Sequence, residues 1–247
     1  MPRGYYDFGS IESLLGANQL DTGEIFHALT GVGLLDGLGR TFFFDSFRYG
    51  LGGWLLGSSG TGKTPTIIPA DLLRSSDVYI PPFSAYFYTG VTSGDLSYFA
   101  RDFYKPERQR IGLEFGVRLN GACSTYRVAM SEDFGGGYKK RWELRLDRIN
   151  AVIKIETTSG WVDLCSYPIP VGSSVHSLQA KVVVDFETGR YRRVIIGDSS
   201  YAVGDLEMPA GYVGVEGVLG SQFIAVNPGI SASAVTLGYV RYTVDEP

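Results

Sequence analysis

Residues 111–119 alternate without a break, Ile111, Leu113, Phe115, Val117 and Leu119 being apolar while Gly112, Glu114, Gly116 and Arg118 fall between them. A period of two sends successive side chains to opposite faces of a strand, and an amphipathic helix does not produce it. The chain must therefore build a sheet, and this run is read as a strand with one buried face. Trp142, Leu144 and Leu146 alternate with Arg141, Glu143, Arg145 and Asp147 in the same way. Leu178, Ala180, Val182, Val184 and Phe186 repeat the pattern before Glu187-Thr188-Gly189-Arg190 turns the chain into residues 191–196, the chemistry of a hairpin. Residues 151–156 and 161–164 flank Thr158-Ser159-Gly160 as a second hairpin, and 212–218 and 238–244 read as further strands.

No convincing long helix interrupts residues 41–247. The 33 glycines and 11 prolines among 247 residues favour tight turns, and a single all-β sandwich accommodates a chain of about 200–250 residues. The expected fold is all-β: a two-sheet antiparallel jelly-roll sandwich over residues 41–247, preceded by a mostly irregular N-terminal arm, residues 1–40. Eight glycines in that arm leave it poorly equipped to form a core. Its two short helical stretches begin at Ser10 and at Asp21 or Thr22, and end at Gly16 and Gly31. Their apolar residues, Ile11, Leu14 and Leu15 in one and Ile25, Phe26 and Leu29 in the other, are candidate arm contacts on a neighbouring subunit.

Two stretches carry a resemblance. Phe43-Phe44-Asp45-Ser46-Phe47 with Gly50-Leu51-Gly52-Gly53-Trp54 resembles the opening strand and turn of concanavalin A-like and laminin-G-like sandwiches. Residues 176–191, which end a strand in Asp185, turn through Gly189 and return, resemble a hairpin of the same superfamily, and 239–245 resemble its last strand. The resemblance implies that the last strand lies beside the first. Lectins, glycan hydrolases, adhesion domains and viral surface proteins share this fold, so it does not choose among them.

Gly57-Ser58-Ser59-Gly60-Thr61-Gly62-Lys63-Thr64 satisfies the phosphate-binding P-loop formula. Such a loop works because the N-terminus of a following helix faces the phosphates. Thr64 is followed at once by Pro65, which pushes it out of helical geometry, and Pro69 follows soon after. The match is read as coincidental, a flexible glycine-serine loop between strands. A glycoside hydrolase needs two carboxylates flanking the scissile bond. None are paired by spacing here, since Glu143 and Asp147 stand four apart and Asp185 and Glu187 sit at a turn where solvated charges are expected. His27 and His176 have no nucleophile pattern beside them. Calcium is a weak expectation, resting on loops 131–137 and 197–200, which lack dense acidic spacing; no other cofactor is expected.

Nine aromatics crowd residues 79–104. Most suit a core, but Tyr79, Tyr86, Tyr88 and Tyr98 are candidate contacts for a glycan or a protein, since each ring carries a polar handle, with the charged loop from Arg101 to Arg110 at the rim. A formal charge of −4 without a basic cluster argues against a nucleic-acid partner. No run of about 18 apolar residues offers a membrane span, and the start lacks the apolar stretch of a signal peptide. That leaves an intracellular protein, a particle released by lysis, or a processed leader. Cys123 and Cys165 are read as buried thiols, with a single disulfide as the alternative. Together these readings give a non-enzymatic structural or adhesion protein, a component of a viral particle or other surface assembly that self-associates through its arm. The alternatives are a carbohydrate-binding module and a glycoside hydrolase on the same fold.

Overall fold

The structure, a computed structural model, describes residues 38–47, 50–69, 83–104, 106, 110–120, 125–133, 139–147, 150–166, 175–212, 218–227, 229 and 234–247. The arm residues Ile11, Leu14, Leu15, Ile25, Phe26 and Leu29, as well as Tyr79, Cys123 and His27, lie outside them. Among the described residues there is no helix long and apolar enough to cross a membrane.

Among the described residues, two antiparallel eight-stranded sheets face each other. The first contains β1 (Arg40–Asp45), β3 (Lys63–Pro69), β4 (Phe83–Tyr88), β6 (Arg110–Asn120), β11 (Val175–Asp185), β12 (Arg190–Ile196), β13 (Ser199–Tyr201) and β16 (Ala234–Val244). Its order is β13-β12-β11-β6-β16-β4-β3, with β1 also on β16. The second contains β2 (Leu55–Ser59), β5 (Leu96–Tyr104), β7 (Thr125–Asp133), β8 (Lys139–Asp147), β9 (Val152–Thr157), β10 (Gly160–Ser166), β14 (Ala210–Tyr212) and β15 (Val218–Val226). Its order is β10-β9-β8-β7-β15-β5-β2, with β14 on β8.

The alternating runs became β6, β8 and β11, and the two hairpins are β9–β10 and β11–β12. The last strand pairs with the first, Arg40 opposite Val244 and Asp45 opposite Val240. The strand expected over 212–218 falls mostly outside the described residues: β14 reaches Tyr212, and β15 runs from Val218 through Phe223 to Val226. Gly220 and Ser221 had hidden β15 by interrupting its apolar pattern. Ser221 faces inward and shares a buried hydrogen bond with the Tyr242 hydroxyl.

The core fills the space between the sheets from both sides, with Ile111, Phe115, Val182 and Tyr242 from the first and Tyr126, Trp142, Leu144 and Phe223 from the second. Its aromatic centre is Phe99, whose ring lies 4.5 Å from Trp54, 4.8 Å from Phe87 and 5.1 Å from Phe223. The aromatic stretch read as irregular is thus mostly β4 and β5, and Arg101 to Tyr104 belong to β5 rather than to a rim loop. Aromatic side chains on both faces of these strands erase the period of two.

The two sheets differ on their outer surfaces. On the second, Arg127, Arg141 and Arg145 keep 22–30% of their side-chain surface exposed and Gln222 is exposed. On the first, the positions expected to be polar and solvated are buried. Glu114, Lys181, Arg241 and Thr243 have no exposed surface, and all 11 residues of β16 are buried.

Candidate functional site

The glycine-rich segment resolves into strand, turn and strand rather than a loop. Gly57, Ser58 and Ser59 end β2, Gly60 and Thr61 turn, and Lys63 begins β3, so the chain passes from one sheet's edge to the other's. No helix follows. Pro65 sits where the β3–β4 register shifts between Lys63 and Thr66, the kind of irregular edge position that tolerates a missing N–H. Lys63 holds its ammonium 5.1 Å over the Tyr88 ring. The glycines serve a carboxylate of the protein's own: Gly60, at φ +62°, would place a Cβ 1.7 Å from Asp95 Oδ1.

Asp95 ties three segments together at this end of the sandwich. Its Oδ2 accepts from the Thr61 amide at 3.1 Å, the Thr61 hydroxyl, and the Thr92 amide at 3.0 Å. Its own carbonyl accepts from the Asn227 amide at 2.9 Å, and Asn227 Nδ2 donates to the Gly90 carbonyl at 2.5 Å. The Thr61 hydroxyl first, and the Thr92 amide next, hold the Asp95 carboxyl below the ordinary aspartate range. A depressed folded value means that the stabilisation is complete above the unfolded value, about pH 3.9, and is lost as pH falls through the folded value. The melting temperature of the native protein should therefore fall more steeply below about pH 4 than that of Asp95→Asn. Parallel profiles for the two proteins would show that this carboxylate does not organise the rim.

The outer face of the second sheet carries the densest functional chemistry among the described residues. Strand register places Leu55, Ala100, Gln222, Ala129 and Glu143 in one row across five strands. The adjoining row on one side is Gly57, Tyr98, Ile224, Arg127, Arg145, Lys154 and Asp163, and on the other Asp102, Gly220, Ser131 and Arg141. Ala100, Ala129, Ser131 and Gly220 surround the exposed Gln222 with small side chains over three strands, about 10 Å at roughly 4.8 Å per spacing. Tyr98, lying over Gly57, and the arginines flank it.

Glu143 is only 1% exposed although it points away from the core. Arg127 clamps it through Nε at 2.5 Å and Nη2 at 2.6 Å, a two-bond fork. Arg141 donates to the same carboxylate, and Arg145 reaches it at 3.5 Å. The Glu143 hydrogen bonds raise the Arg127 guanidinium above its ordinary value against the opposing effect of burial, with the charges of Glu143 and Glu156 adding to the rise. Arg145 also lies 3.8 Å above the half-buried Trp161 ring, a cation–π contact. Glu156, beside Trp161 in register, has a buried Oε2 with no hydrogen-bond partner. One carboxylate thus collects three guanidiniums beside an indole on an open sheet.

The candidate tyrosines divide. Tyr98 faces this platform, whereas Tyr86 and Tyr88 lie on β4 of the first sheet, Tyr86 opposite Thr236 and Tyr88 opposite Ala234. All three are half-buried. Asp185 is not a solvated turn residue. It is buried, accepts from the Thr188 amide at 3.1 Å and pairs with Arg192 at 2.5 Å, closing the β11–β12 hairpin. His176 is the second residue of β11. Cys165 is a free, half-buried thiol beside Tyr201. Between the β10 and β13 edges lies a cavity of about 370 Å³, lined by Val162, Asp163, Leu164, Tyr201 and Asp205 among others. No three His, Cys, Asp or Glu side chains gather as a metal site among the described residues. Sequence reading missed the arginine cluster because each charge sits at an alternate strand position, where a solvated side chain is the ordinary expectation.

No protein-family model matches the sequence, and no curated protein matches it. Solved structures match in fold. A sialidase superposes with a TM-score of 0.53 at 10% identity, covering 84% of this chain, and the chain spans 18% of that protein's length. The Crh5 transglycosylase in complex with NAG gives 0.49 at 9% identity over 85% of this chain and 86% of the other. Lectin I-B4 from Griffonia simplicifolia, in a metal-free form, gives 0.48 at 10% identity over 81% and 98%. The fold is a two-sheet antiparallel β-sandwich, shared with part of that sialidase. At these identities the likeness to each protein is one of fold.

Proposed function

We propose that this jelly-roll is a non-enzymatic adhesion domain that binds glycans on the outer face of its second sheet. The observation that carries the reading is the guanidinium cluster of Arg127, Arg141 and Arg145 around Glu143, with Trp161 beneath Arg145, on the face that stays open. An indole and a tyrosine ring suit the apolar faces of sugars, and guanidinium N–H groups turned away from Glu143 suit carboxylate or sulfate groups. The ligand class is an acidic glycan. Glu143 acts as a positioning residue, since its oxygens are occupied by the arginines it aligns; that arrangement favours binding over general acid catalysis.

A glycan array of neutral, carboxylated and sulfated sugars tests the reading. The expected result is retention of acidic glycans, with Trp161→Ala weakening binding by about tenfold, the equivalent of about 1.4 kcal/mol. A folded protein that retains none of them sinks the proposal.

A second reading, a structural subunit of a viral particle or other surface assembly, is favoured by the edge strand β2. Leu55 is 62% exposed there and Leu56 38%, and Tyr104 at the end of neighbouring β5 is 96% exposed. Apolar side chains on an unpaired edge suit a protein partner.

A further inference from the structure

We propose that Trp161 and Glu156 form a subsite for an uncharged sugar ring at the β10 edge of the arginine platform, so that the ligand spaces its acid groups with neutral sugars and is not a polysulfated chain. The inference rests on the glycan-binding reading of this face and adds which part of the ligand goes where. Register sets Glu156 directly opposite Trp161. It also sets Glu156 one position beyond the Leu144–Ile155 pair, which puts it beside Glu143. The row that crosses the sheet through Gln222, Ala129 and Glu143 therefore continues through Glu156 to the indole. Tyr191, reaching across from the first sheet, donates its hydroxyl to the Glu156 carbonyl at 2.5 Å and fixes the strand beneath.

Two polar atoms around the indole lack partners. Glu156 Oε2 accepts no hydrogen bond, and Arg145 Nε finds no acceptor. Leaving such groups unpaired is costly, so the patch favours a ligand group able to donate to one and accept from the other. A sugar hydroxyl does both; a carboxylate or sulfate only accepts, and brings its charge against Glu156. Arg145 is also the arm that can give way. It reaches Glu143 at 3.5 Å, against 2.5 and 2.6 Å for Arg127, and 30% of its side chain is exposed. Its guanidinium lies 3.8 Å above the Trp161 ring, where a pyranose ring would stack. A sugar displacing it exchanges one ring contact for another and brings its hydroxyls between Arg145 and Glu156. Charge agrees. Among the described residues of the cluster, three guanidiniums face two carboxylates, and Lys154 pairs with Asp163 at 3.3 Å. One surplus positive charge matches one acid group on the arginine side; a second anion at the indole would meet Glu156 instead.

Calorimetric titration of the full chain tests this. The probes are hyaluronan and unsulfated chondroitin oligosaccharides, which space their carboxylates with neutral sugars, against heparin oligosaccharides of the same length. The native protein should bind the better of the first two at least tenfold more tightly than heparin. Glu156→Gln, which keeps the shape and an acceptor oxygen but removes the charge, should tighten heparin binding at least fivefold and change the carboxylated sugar by less than about twofold. Glu156→Ala should weaken the carboxylated sugar about tenfold. Melting temperatures within a few degrees of the native value show that both variants are folded, and the isosteric glutamine carries the test if the alanine is not. Heparin binding as tightly as the carboxylated sugars, or a preference that Glu156→Gln leaves unchanged, overturns this assignment while the glycan-binding reading stands. Binding of none of the probes, with no acidic glycan retained on the array, overturns both.

Discussion

Arg241→Met is expected to lower the unfolding free energy by about 3–5 kcal/mol, the usual cost of stranding one partner of a buried ion pair. Arg241 has no exposed surface, donates through Nε to Thr41 Oγ1 at 2.8 Å and reaches Glu114 Oε2 at 3.2 Å. Tyr239 donates its hydroxyl to the other Glu114 oxygen at 3.0 Å. Burial first, and the Glu114 charge next, push that phenol well above its ordinary value, which keeps it a donor at neutral pH. Without the guanidinium, Glu114 is left a charge in a dry layer. Urea unfolding should show the midpoint falling by about 1 M or more. Arg241→Met/Glu114→Leu should recover much of the loss, because removing both charges removes the desolvation cost as well. A single variant with an unchanged midpoint would mean that the pair sits in water.

Phe99→Ala should cost a similar amount, about 3–5 kcal/mol, through a different mechanism. Trp54, Phe87 and Phe223 surround its ring, and Phe47 stands 5.8 Å away nearly edge-on. Truncation opens a cavity that rings held by two sheets cannot collapse to fill, and it forfeits edge-to-face contacts beyond the buried area. Phe103→Ala removes the same number of atoms from a half-buried site, so its smaller loss calibrates the comparison. Calorimetric melting of the two variants reads both. Equal losses would place the packing centre elsewhere.

The sheets were legible in the sequence wherever one face of a strand is apolar and the other is not: residues 111–119, 142–146 and 178–186 announce β6, β8 and β11. Pro65 marks the glycine-rich segment as unfit for a phosphate loop, but nothing in the sequence announces that it forms two strands and a turn rather than a flexible loop. The burial of the first sheet's outer face was not legible. Glu114 and Arg241 stand 127 positions apart and neutralise each other only once β6 and β16 are neighbours. A lone charge on an alternating strand reads as solvated, and nothing local distinguishes a paired one. The arginine platform was hidden in the same way, because Arg127 and Glu143 sit on different strands and become a fork through pairing of β7 and β8. Periodicity reports which side a residue faces; it cannot report what waits there.

Placing β16 in the interior of the first sheet has a consequence for the order of events during synthesis. Residues 234–244 bridge β6 on one edge and β1 and β4 on the other. Until that segment has left the ribosome, β4 and β1 have no strand to join them to β6, and the emerging chain presents open sheet edges to its surroundings. At about 5–20 residues per second, that exposure lasts for seconds. Closing loops of this length makes the final step slow as well. Emergence of residues 234–244 from the ribosome, rather than of any earlier hairpin, is therefore the moment at which the first sheet can first close, and the interval before it is when chaperones matter most.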